Sequence, residues 1–116
     1  MAFNEKLAGR VRQLLSGTSH TIDEKRMFMG LCFMVNDKIC VCVHSKEIMV
    51  RLDQKIAEKA LKKSGTRQMM MKDRIMKGYI AVDESALKTK RQLEYWVNMA
   101  LDFNPFASSS KKKKTD

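Results

Sequence analysis

The sequence predicts an α+β domain with one five-stranded antiparallel sheet and helices packed on it, in the order α-β-β-β-α-β-β-α. Three observations predict it. Residues 25–52, KRMFMGLCFMVNDKICVCVHSKEIMVRL, are nearly continuous in apolar and β-branched residues and are cut only by Asn36-Asp37 and Ser45-Lys46. Runs of this kind, bounded by turn-forming residues, read as successive strands of a meander. The segments on either side repeat apolar residues at helical spacing instead. The 116 residues, 44% hydrophobic and 31% charged, have the size and composition of one globular domain.

The first helix spans roughly Asn4 to Leu15, with Asn4 as its cap and Leu7, Val11, Leu14 and Leu15 on one face. Gly17 stops it, and Gly17–Asp23 reads as a polar connector. The first strand runs from about Met27 to Val35 and the second from Ile39 to His44, around a two-residue turn at Asn36-Asp37, where both residue types tolerate left-handed backbone. That register pairs residue i with residue 73−i. It places Cys32 on one sheet face with Ile39, Val41 and Val43, and Cys40, Cys42 and His44 on the other with Leu31 and Phe33. Both faces are then apolar at the centre, and both need cover.

The third strand is Glu47 to Leu52. Asp53 caps a second helix that extends to about Ser64, with Ile56, Ala57, Ala60 and Leu61 inward and Gly65 past its end. Arg67 to Val82 reads as two short strands about Lys72-Asp73, rich in adaptable methionines. In the last helix Thr89 and Gln92 form a capping box, and Leu93, Trp96, Val97, Ala100 and Leu101 form the buried stripe. Pro105 ends it by disfavouring helical geometry at Asn104. Residues 1–106 are thus one domain, and 107–116 are a disordered Ser- and Lys-rich tail.

No apolar run approaches the ~18–20 residues that cross a bilayer, and the charged N-terminus lacks the apolar core of a signal peptide. Three cysteines, an odd number without secretory context, fit a cytoplasmic protein with reduced thiols. The net charge of +10 is unevenly spread: residues 53–77 hold eight Lys or Arg against three Asp or Glu. Such a surface attracts polyanions or acidic protein faces.

Several motifs fall in order along residues 20–106: Arg26-Met27-Phe28-Met29-Gly30, Phe33-Met34-Val35-Asn36-Asp37-Lys38, Ile48-Met49-Val50-Arg51, Arg74-Ile75-Met76-Lys77-Gly78-Tyr79 and Phe103-Asn104-Pro105. Through them the chain resembles the N-terminal domain family of the TfoX/Sxy proteins, bacterial regulators of natural competence. Met29, Asp37 and the stretch Lys72–Ile75 depart from the family pattern, each with a bulkier or less permissive residue at a bend. The resemblance implies a two-layer domain with a five-stranded antiparallel sheet. It also implies regulation of transcription through protein contact, since full-length relatives carry a second, helical domain and co-activate competence genes. A stand-alone N-terminal domain is the expectation here, with a protein partner such as the transcription machinery, or a second copy, as its target.

Chemical signals are sparse. Cys40-x-Cys42-x-His44 invites a metal reading, but residues two apart on a strand project ~6.6–6.8 Å apart, too far for one straight strand to place three ligands on one ion. Buried packing is the reading adopted for the cysteines, with no disulfide and no metal. His44 has no geometry to act as base for Cys42. No phosphate-binding glycine loop or catalytic elbow is present, so neither enzymatic activity nor a cofactor is expected. Among the cations, Lys55, Lys59, Lys62 and Lys63 read as the solvated face of the second helix. Arg51, Arg74 and Lys77 sit on or beside strands, where they either pair with carboxylates or form an anion- or partner-binding patch to which Lys62 and Lys63 are added. Two functions follow: a non-enzymatic interaction domain or, as the alternative, a small basic nucleic-acid-binding protein, the latter lacking any recognised reader motif.

Overall fold

The computed structural model describes residues 3–18, 20–27 and 30–107. Phe28 and Met29 of the sequence motif, and the tail from residue 108 onward, lie outside the described residues. The chain forms helix α1 (Glu5–Ser16), strands β1 (Ile22–Met27), β2 (Gly30–Val35), β3 (Lys38–Val43) and β4 (Glu47–Arg51), helix α2 (Gln54–Ala60), strands β5 (Thr66–Met71) and β6 (Arg74–Asp83), and helix α3 (Lys90–Phe103). The strands make one antiparallel sheet in the order β1-β2-β3-β4-β6-β5.

The sheet therefore has six strands, not the five expected. The additional one is β1, in a stretch that the sequence reading divides between a connector and the start of its first strand. Its sequence, IDEKRM, carries no apolar alternation because it is an edge strand whose middle four residues are all exposed. It is tied down from outside the sheet: the Glu24 carboxylate accepts from the Arg12 guanidinium of α1, with Nη2 to Oε1 at 2.8 Å. At the start of β2, a Cβ on Gly30 would collide with the Val43 carbonyl oxygen and the His44 ring, so the close approach of β2 to the end of β3 requires glycine.

The β2–β3 turn forms as expected, with Asn36 at φ 53° and Asp37 at φ 68°. Next to it Val35 pairs with Lys38 and Met34 with Ile39, as the register rule requires. Then the register shifts: Phe33 pairs with Val41, Cys32 with Cys42 and Leu31 with Val43. Cys40 is thus the extra residue of a β-bulge. One added residue reverses the parity of everything beyond it. Cys40, Val41 and Val43 face the helices, whereas Cys42 joins Cys32 on the opposite face. There the two are linked by a disulfide, with Cα atoms 3.9 Å apart. The expectations that Cys32 and Cys42 face opposite ways, that no disulfide forms and that all three thiols stay reduced are corrected by this bulge.

All three helices contribute to one core on one face of the sheet, where Val11, Leu15, Phe33, Val50, Ile80, Leu93 and Val97 are buried. The capping box of Thr89 and Gln92 opens α3. After Phe103, residues 104–106 make a 3₁₀ turn, and the Nδ2 of buried Asn104 donates to the Val35 carbonyl at 3.1 Å. Ala107 is also buried. The second face carries a smaller cluster of Cys32, Met34, Ile39, Cys42 and Met49, flanked by Met27, Met69 and Tyr79. The α2 helix ends at Ala60, four residues before its expected end. Lys62 and Lys63 donate to carbonyls three residues back, and the Thr66 hydroxyl donates to the Ala60 and Lys63 carbonyls, turning the chain into β5.

Candidate interaction surface

The five cations singled out from the sequence divide into two groups. Lys62 and Lys63 lie in the turn after α2, where the Lys63 ammonium sits 5.0 Å from the Tyr95 ring centroid on α3. Arg51 ends β4, and its guanidinium lies 5.4 Å from the ring of Tyr79, its cross-strand partner on β6. Arg74 and Lys77 follow on the first half of β6, both exposed. Thr66, just after the lysine pair, is opposite Val82, whereas Arg74 is at the hairpin turn. On β5 those positions are five residues apart, from Thr66 to Met71 opposite Arg74, about 17 Å at ~3.3 Å per residue. The structure thus brings Arg51, Arg74 and Lys77 to one end of the sheet and leaves Lys62 and Lys63 at the other.

That first end has an unusual shape. β4 pairs with β6 only over residues 79–83, and its last link is the Leu52 N–H to the Gly78 carbonyl at 2.7 Å. Residues 74–77 of β6 continue past the end of β4 with β5 alone, which runs three residues beyond Gln68, an arm of about 10 Å at ~3.3 Å per residue. The arm starts where the chain bends at Gly78, whose φ of +85° and approach to the Leu52 carbonyl oxygen leave no space for a Cβ. Between the pairs Gln68–Ile80 and Met70–Ile75, β6 carries three residues more than β5, and the Gln68 side-chain amide spans this bulge, donating to the carbonyls of Met69, Met76 and Tyr79. At the tip, Met70 and Ile75 face each other across the ladder and stay 47% and 58% exposed, between Lys72, Arg74 and Lys77.

Beside the arm, on the helix layer, an apolar groove of about 420 Å³ lies between the β4–α2 junction and the end of α3. Leu52, Ile56, Met99, Phe103 and Phe106 line it, and Asp53 and Asp102 stand at its rim. Ile56, expected on the inner stripe of α2, is instead 45% exposed here, and Phe106 is 80% exposed. The Asp53 carboxylate also caps α2 through the Lys55 N–H, and Lys38 is engaged by the carbonyls of Asn104 and Pro105. These apolar residues are absent from the sequence-based site. The arm alone has a signal in the sequence, the stretch Met69–Met76, where apolar residues cluster without the alternation of a half-buried strand.

The Cys-x-Cys-x-His constellation is dispersed. Cys40 points into the helix-side core, where burial pushes its thiol up to about 12 despite the nearby Arg51 cation. It is therefore a neutral, shielded thiol rather than a nucleophile. Cys42 is in the disulfide, and His44 turns its Nδ1 toward the Glu47 carboxylate at 3.5 Å. Among the described residues no three of His, Cys, Asp or Glu converge to hold a metal ion, and no helix is long and apolar enough to cross a membrane.

A family model for the TfoX N-terminal domain matches residues 13–104. No curated protein and no solved structure matches the chain.

Proposed function

Because the chain belongs to the TfoX N-terminal domain family, we propose that it is a non-enzymatic, competence-regulator-like domain that acts on transcription by contacting protein, either a partner or a second copy of itself. The observation that carries this reading is the arm beyond β4 together with the groove beside it: Met70, Ile75, Ile56 and Phe106 are the large apolar side chains left most exposed at this end. Apolar side chains collected at one end, ringed by charges, are what a protein interface uses for its buried centre and polar rim. Direct nucleic-acid binding is the weaker reading. The two groups of cations do not form one stripe, and the tyrosine faces nearest them are covered by Arg51 and Lys63, whereas single-strand binding relies on open aromatic platforms.

Photo-crosslinking tests the reading. A photoreactive residue at position 75 or 106, introduced in the cell that makes the protein, is expected to give discrete protein adducts, while one at exposed Lys59 gives none of them. Adducts with nucleic acid alone, or a pattern identical to that from position 59, would overturn it.

A further inference from the structure

Resting on that reading, we infer that the partner for this end of the molecule is a second copy of the same chain, with the arm of each copy seated in the groove of the other. The two surfaces are complementary in both respects that matter. The arm offers Met70 and Ile75 among three cations, Lys72, Arg74 and Lys77, against one carboxylate, Asp73. The groove offers an apolar floor with Asp53 and Asp102 at its rim. Among the described residues they do not meet within one chain: those lining the groove include none from the arm, and Ile75 stays 58% exposed. The β5–β6 ladder carries the tip past the end of β4, away from its own groove and toward that of another molecule.

The placement also explains closure. Arm and groove are adjacent at the same end, joined where the Leu52 N–H meets the Gly78 carbonyl, so a two-fold axis beside that junction lets each copy give an arm and receive one. An interface of this kind is self-complementary and closes at two subunits instead of growing into a filament. It also supports an element that is weak by itself, since a two-stranded ribbon without a third strand or a packed face is marginal in water.

Sedimentation velocity of the full chain over a concentration series, at low and moderate salt, tests the inference with four variants. Ile75→Asp, at the tip, is expected to abolish the dimer, and Arg74→Glu or Asp102→Lys each to weaken it by about tenfold, the scale of a lost interfacial charge contact. The double exchange Arg74→Glu with Asp102→Lys is expected to bring the affinity back to within about threefold of wild type, because it restores opposite charges across the interface. All three positions are exposed, so folding is retained, and thermal melts verify that. A wild-type monomer at every concentration would overturn the inference, as would a dimer indifferent to Ile75→Asp or a double exchange no better than its parts. The two failures are separable: a monomeric protein that still gives adducts at position 75 with another protein loses the self-association and keeps the proposed function, whereas a monomer without such adducts loses both.

Discussion

Reducing the Cys32–Cys42 bond should destabilise the protein by an amount that follows from its place in the chain. The bridge joins positions 10 apart. Closing a loop of that length removes ~9 cal/mol/K of chain entropy from the unfolded state, equivalent to about 2.7 kcal/mol at 25 °C. For 116 residues, an unfolding entropy of ~2.1 cal/mol/K per residue converts this to a fall in Tm of about 11 °C. Circular-dichroism melts with and without reductant measure the shift, and the variant Cys32→Ala/Cys42→Ala should show none. Thiol titration supplies the complementary count. The native protein should react nowhere, because Cys40 is 1% exposed and its thiol is held near 12. The unfolded, non-reduced protein should show one thiol and the reduced protein three. A reductant shift under about 4 °C, or three thiols without reductant, would refute the Cys32–Cys42 disulfide.

Other substitutions probe the same frame. Gly30→Ala should cost about 1–3 kcal/mol in urea unfolding, because the added methyl meets the Val43 carbonyl, which has no freedom to turn away; a loss under ~0.5 kcal/mol would argue against this packing of β2 on β3. Gly78→Ala should also cost about 1–3 kcal/mol, since φ +85° and the Leu52 oxygen both oppose a side chain; an unchanged urea midpoint would contradict the bend at the root of the arm. The hydrogen bond from Arg12 holds the Glu24 carboxyl below its ordinary pKa of 4.5. A depressed folded-state pKa gives stability that is complete above the unfolded value and is lost as pH falls through the folded one. Glu24→Gln should therefore lower stability by ~0.2–1 kcal/mol near pH 7 and not at pH 2, the small size reflecting solvent exposure; an equal loss at both pH values would exclude the ion pair as its cause.

What could be read from the sequence follows from which features have a periodic signature. The helices at both ends were legible because Leu7, Val11 and Leu15, and Leu93, Trp96, Val97 and Ala100, repeat at helical spacing and are all buried. The turn at Asn36-Asp37 was legible from residue type. β1 was not, because an exposed edge strand such as IDEKRM has no buried face to impose alternation. The bulge at Cys40 was not, because an unbroken apolar run looks the same whether or not one residue is left unpaired, yet that residue decides which cysteines meet. The candidate surface was half legible. Arg51, Arg74 and Lys77 do share one end of the sheet, but Lys62 and Lys63, close to them in sequence, lie at the far end of the hairpin. The groove was invisible because it is assembled from the start of α2 and the end of α3, about 50 residues apart in the chain, a distance that hydrophobic spacing does not reach across.

If a second copy of the chain completes the β5–β6 arm, hydrogen exchange of the arm's backbone amides over residues 70–77 depends on protein concentration. Measured from dilute to concentrated solution at fixed pH, exchange there should slow as concentration rises, together with residues 52–56 and 99–106 around the groove, while the helix α1 amides stay unchanged. Exchange over residues 70–77 that is independent of concentration, or protection that appears in α1 instead, would exclude the exchange of arms between two copies.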